Sequence, residues 1–283
     1  MKHVTPLIVV TVVLAVTCSC TTARAQATRP AAAAASSREW TPLLNGKDLT
    51  GWYTFLRGPG RDKDPQHVFQ VTGDGVVHLY KDAEEGADMP FGYFCSEKEY
   101  GDCRIRFEYK WGTKRFGRRA TRPRDSGFLY HVFGNDGDQG GVWPWSIECQ
   151  IQENDVGDIY AIGAHVSTTI DPATKDTKLK KFLEPNEGGV DFTTPTEPNS
   201  RLVRNPMNEH DGWNTIEVEL RGDSAVHIVN GKVNMRIHNI TRPDPNDPEK
   251  QIPLTKGRIL FQAEGAEVMY RKIEMQPIPT DAR

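Results

Sequence analysis

Residues 146–152 (SIECQIQ) hold the side chains best suited to chemistry. Run as a strand, the segment alternates, with Ile147, Cys149 and Ile151 on one face and Glu148, Gln150 and Gln152 on the other. Just upstream, GGVWPW at 140–145 brings Trp143 and Trp145 beside the polar face. Indole planes next to a carboxylate and amides suit a sugar ring, whose C–H face stacks on aromatics and whose hydroxyls need in-plane partners. A solvent-facing strand with two core tryptophans is the plain alternative. Direct glycosidic displacement uses two carboxylates, and this face offers one; a second would have to come from another strand, for example Asp125 or Glu264. One base among neutral polar groups fits proton-abstraction chemistry better.

Partners for Glu148 must lie on other segments. Asp125-Ser126-Gly127 opens a run in which alternation places Leu129, His131 and Phe133 on one face and Phe128, Tyr130 and Val132 on the other. His165 is the other histidine near this region, and a lone histidine is more often structural than catalytic. No Ser-His-Asp or Cys-His signature is present, and Cys149, pointing away from Glu148, reads as core. Cys95 and Cys103 flank a polar turn, so they are either a disulfide across a hairpin or two small buried thiols. No CxxC spacing or Cys/His cluster marks a zinc site.

The elements that would carry these residues are short strands. Segments 68–71 and 76–80 flank a Gly-Asp-Gly turn, and 104–109 and 215–221 alternate cleanly. Segments 226–229 and 232–237 flank Asn230-Gly231, and 258–262 and 268–275 flank Glu264-Gly265. Two insertions interrupt them. Residues 112–124 (GTKRFGRRATRPR) are basic enough to read as a solvated loop, and the Pro-rich stretch 171–209 reads as a loop bordering a site.

Composition agrees. Among 283 residues, 25 Gly and 19 Pro disfavour a helical bundle, and a net charge of -3 argues against a nucleic-acid binder. An all-β sandwich or barrel remains. Lys2 and His3 precede an apolar run over 7–16, and Ala23-Arg24-Ala25 presents small residues at the positions a signal peptidase reads. The run is too short to span a bilayer as a helix. Residues 1–25 are therefore expected to be a secretory signal, with a lipoprotein signal the less favoured alternative. Residues 26–38 would form a disordered tether, and 39–283 a single domain, periplasmic or extracellular, with no transmembrane segment in the mature form.

Several phrases in fixed order then become specific: WTPLLNGKDLTGW at 40–52, GDCRIRFE at 101–108, DSGFLY at 125–130, IECQI at 147–151, GWNT at 212–215, VNGK at 229–232, GRILFQ at 257–262 and VMYRKI at 268–273. Together they resemble the 3-keto-disaccharide hydrolase family, also described as 3-keto-glucoside lyase/hydratase domains. The resemblance implies a concanavalin-like jelly roll of two antiparallel sheets, acting on sugars oxidised at C3 by base-catalysed elimination and hydration. It implies Glu148 or His165 as base and Arg271 as stabiliser of the enolate. No cofactor is certain; a divalent metal ion is the candidate addition. Asp125, His131, Trp143, Trp145, Gln150, Gln262 and Glu264 would contact the sugar. A non-catalytic lectin-like module and a conventional glycoside hydrolase are the competing functions for such a face.

Overall fold

Besides Met1, the computed structural model describes residues 39–194, 200–201 and 208–279, so the expected signal and tether lie outside the described residues. Two antiparallel sheets pack face to face as a jelly roll, with no α-helix among the described residues. The smaller sheet runs in the order 200–201, Ile159–Ile162, Trp145–Gln152, Asp125–Phe133, Arg258–Ala263, Gly92–Ser96, Trp52–Leu56 and Gly60–Arg61. The larger sheet is centred on Asn214–Arg221, Cys103–Arg115 and Ala266–Pro277.

Alternation decides which face meets the core. Ile105, Phe107 and Tyr109 from the larger sheet and Phe128, Tyr130, Ile147, Cys149 and Ile151 from the smaller one are fully buried between the sheets. Phe261 sits at the centre, 4.9 Å from both the Phe94 and Phe107 rings and 5.1 Å from Phe128. Each such side chain contributes roughly 1.5–3 kcal/mol on burial. The expected hairpins form, including Asn230-Gly231, whose φ values of 49° and 76° are the pair of positive angles a tight two-residue turn requires.

Three expectations are corrected. First, the alternation of 128–133 breaks at His131, where φ is 50° and the register with both neighbouring strands shifts. This bulge puts Leu129 and Val132, not Leu129 and His131, in the same apolar cluster. Second, Cys95 and Cys103 are buried free thiols on different sheets, so the disulfide alternative falls away. Third, the basic insertion is pinned rather than solvated. Lys114 Nζ donates to the Lys81 and Ala83 carbonyls, Arg115 and Arg124 pair with Glu153, and Arg119 pairs with Asp125 and Glu264. The 171–209 insertion contributes a strand, Val190–Thr193, to the larger sheet, and 200–201 pair with the outer edge of the smaller one.

Candidate functional site on the outer face of the smaller sheet

The outer face of the smaller sheet carries a second apolar cluster: Tyr53, Tyr93, Cys95, Leu129, Val132, Ile162 and Leu260, with Phe55, Trp143, Trp145 and Tyr160 packed against it. Both tryptophans therefore lie on the polar strand's side, as their spacing suggested. Phe55 stacks on Tyr93 at 5.4 Å, and Trp143 lies 6.3 Å from the same ring. Tyr53 and Tyr93 both donate to Asp136 Oδ1, at 2.8 and 2.6 Å, and Arg258 donates to the Tyr53 hydroxyl at 2.6 Å. This network fixes the aromatic side of the face.

Polar residues occupy the next strands in register. Leu129 pairs with Glu148, Gly127 with Gln150, Asp125 with Gln152, and Gln262 with Tyr93. Gly127 is the floor of the site. A Cβ there would lie 2.2 Å from Glu148 Oε1 and 2.4 Å from Gln262 Oε1, so those two oxygens fill the space that any other residue would occupy. Glu148 is 5% and Gln262 1% exposed, and the Gln262 side-chain oxygen Oε1 has no hydrogen-bond partner. A buried acceptor without a donor, beside a carboxylate over a bare glycine, is suited to a ligand hydroxyl. Gln150 folds its own Oε1 onto the Ile151 N–H at 2.8 Å, which leaves its amide NH2 as the group able to donate outward.

One register step along the strands, Arg119 lies between two carboxylates. Its guanidinium pairs with Asp125 and, at 2.5 Å, with Glu264, and donates to Gln152 Oε1 at 3.4 Å. Burial holds both carboxyls above the ordinary range, and Asp125 is pushed further by the charge of Glu264. One cation against two desolvated acids leaves the pair able to retain a proton.

Three sequence-derived candidates are placed elsewhere, Arg271 and His165 on the larger sheet and His131 in a buried bulge of the smaller one. Arg271 sits on the larger sheet, where it donates to Glu108 at 2.6 Å and stacks over Trp213 at 3.9 Å. The cause is strand parity: Tyr270 points into the core, so Arg271 points away from it and from the smaller sheet. His131 is fully buried with neither ring nitrogen hydrogen-bonded, edge-on to Tyr130, and burial pulls its pKa to about 4. It has no surface to offer a sugar. His165 begins a strand of the larger sheet, opposite Thr241. Among the described residues no group of three or more His, Cys, Asp or Glu side chains is arranged to hold a metal ion. Sequence reasoning missed Arg119 and the role of Gly127, although a lone glycine inside a strand pattern signals close approach by something else.

Solved structures with similar folds are remote. A chain from Parabacteroides distasonis, named as a candidate glycosyl hydrolase, is 21% identical over 85% of this chain and 94% of its own, with a TM-score of 0.46. A Bacillus subtilis carbohydrate binding module is 9% identical over 80% and 95%, with a TM-score of 0.38. A Bacillus licheniformis beta-glucanase is 11% identical over 86% and 98%, with a TM-score of 0.39. No curated protein sequence matches the chain. The model of the 3-keto-alpha-glucoside-1,2-lyase-like domain matches residues 39–276, covering both sheets and every residue of the site. The protein belongs to this carbohydrate-active family.

Proposed function

We propose that this protein is an exported enzyme, periplasmic or extracellular, that cleaves 3-keto-glycosides by elimination and then hydration. The observation that carries the proposal is the placement of Glu148 and the unpartnered Gln262 Oε1 over Gly127, beside an aromatic platform. A C3 ketone acidifies the C2 hydrogen. Glu148 takes that proton, and the electron pair delocalises to the C3 oxygen, toward which the Gln150 amide donates. Collapse of the enolate forms the C1–C2 double bond and breaks the bond from C1 to the leaving oxygen. The Asp125–Glu264 pair supplies the proton that oxygen needs. Water then adds across the double bond, its hydroxyl to C1 and its proton to C2, giving the 3-keto sugar and completing a net hydrolysis. Gln262 accepts a sugar hydroxyl and fixes the ring over Gly127.

The deciding assay compares release of the same aglycone from a 3-keto-glucoside and from its unoxidised parent. Turnover of the keto form alone is expected, with Glu148→Gln lowering it by about 10²–10⁴-fold. Cleavage of the parent would indicate a conventional glycoside hydrolase. Binding of both without turnover would indicate a lectin-like module.

A further inference from the structure

Beside the acid pair, a pocket of about 250 Å³ opens between the 88–91 segment and the turn at Gly117–Arg119. Met89, Pro90 and Phe91 give it an apolar wall, and Arg57, Arg118 and Asp88 give it charge. The Arg118 guanidinium lies 4.4 Å over the Phe91 ring, and among the described residues neither Arg57 nor Arg118 forms an ion pair with a carboxylate. Other described arginines, including Arg61, Arg104, Arg115, Arg119 and Arg124, are matched to an acid. Two guanidiniums against one carboxylate leave the pocket net cationic on a protein whose overall charge is -3.

The pocket is also joined to the site. Phe91 directly precedes the strand Gly92–Ser96, and Gly92 pairs with Ala263, so Phe91 is level with Glu264. A Cβ on Gly265 would lie 3.0 Å from Phe91 and 3.1 Å from Arg119, so both side chains border Gly265. Arg57 reaches toward Gly141, on the loop that bears Trp143. From Gly127 to Gly92–Ser96 is two strand spacings, roughly 10 Å, about the length of one further ring beyond the reacting sugar.

Taking the elimination reaction above as its basis, we infer that this pocket is an anion subsite for the leaving group, and that the preferred substrates are 3-keto-glycosides whose aglycone carries a carboxylate, sulfate or phosphate. Phe91 and Met89 pack against the aglycone ring while Arg57 and Arg118 bind its anionic substituent, the planar fork of each suiting a carboxylate in bidentate geometry.

The test uses probes that differ only in charge: the 4-carboxyphenyl and 4-carbamoylphenyl 3-keto-glucosides, each as both anomers, for turnover, and the corresponding unoxidised glucosides for calorimetric binding. The carboxylate is expected to have at least a tenfold higher kcat/KM than the amide. That ratio should collapse toward one in Arg57→Gln and Arg118→Gln, with the effect sensitive to salt. Equal kcat/KM for the two probes, or a ratio untouched by both substitutions, overturns the inference. The binding arm separates the two levels. If no keto sugar is turned over, the elimination reading fails, yet a carboxylate preference in binding that is lost in the arginine variants still supports the subsite. Equal binding of both unoxidised probes refutes it.

Discussion

Gly127→Ala is the sharpest test of the site. The backbone there needs no positive φ, so alanine is conformationally acceptable, and the whole effect comes from one methyl group. Its position is 2.2 Å from Glu148 Oε1 and 2.4 Å from Gln262 Oε1, and relief to ordinary contact moves each oxygen by about 1 Å. Overpacking of this kind costs about 1–3 kcal/mol of stability. A 1 Å displacement of catalytic groups costs on the order of 10²-fold in rate. The expected result is a folded protein with kcat/KM on a 3-keto-glucoside reduced about a hundredfold. Gly112→Ala is the matched control, since its Cβ would meet the Glu267 carboxylate at 2.3 Å on the larger sheet, where Glu267 accepts from the Thr113 N–H and bonds His78. It should lose comparable stability with far less effect on rate. If Gly127→Ala keeps its turnover within about twofold while thermal unfolding reports a normal fold, the Glu148–Gln262 arrangement is not the reacting centre.

Three further outcomes follow from the geometry. Arg271→Met should leave turnover of a 3-keto-glucoside unchanged and cost no more than about 1 kcal/mol in chemical denaturation, because its partner Glu108 and the Trp213 ring lie on the larger sheet. Since burial lowers the His131 pKa from 6.5 to about 4, the folded state binds fewer protons than the unfolded chain, and stability is lost as pH falls through that window; His131→Leu should remove this part of the acid sensitivity, read as the slope of unfolding free energy between pH 7 and 4. Asp125 behaves oppositely: burial and Glu264 hold its carboxyl above the ordinary range, so the folded state retains a proton the unfolded chain releases and stability falls as pH rises past that range. Asp125→Asn should flatten that decline while lowering kcat, and an unaltered slope would show that the pair holds no proton.

Strand periodicity carried most of the fold. The alternation at 104–109, 146–152 and 215–221 named the buried side chains because a half-buried strand repeats every two residues and tolerates no slip. The same rule failed at His131, where one residue at positive φ inserts a bulge, something that no period-two count reveals. That Glu148, Gln150 and Gln152 share one face was legible because parity along 146–152 alone fixes it, whereas Gln262 entered only through the family resemblance. The placement of Arg271 was not legible, since its strand belongs to the other sheet and only the pairing of Ala266–Pro277 with Cys103–Arg115 decides which side it occupies. Arg119 was hidden inside a charge run whose other members look identical in sequence.

Adjacent residues in that run link binding to proton transfer. On the short turn Gly117–Arg119, Arg118 turns outward over Phe91 while Arg119 turns inward to Asp125 and Glu264. Arg118 is also close enough to favour the charged form of Glu264, which burial otherwise disfavours. An anionic aglycone against Arg118 would neutralise that influence and favour the proton on the Asp125–Glu264 pair just as the leaving oxygen requires one. A neutral aglycone would leave Arg118 pulling the other way. Substrate charge would then act on kcat as well as on KM, so the carboxylate and amide probes should differ in kcat itself, and a difference confined to KM would uncouple the two arginines.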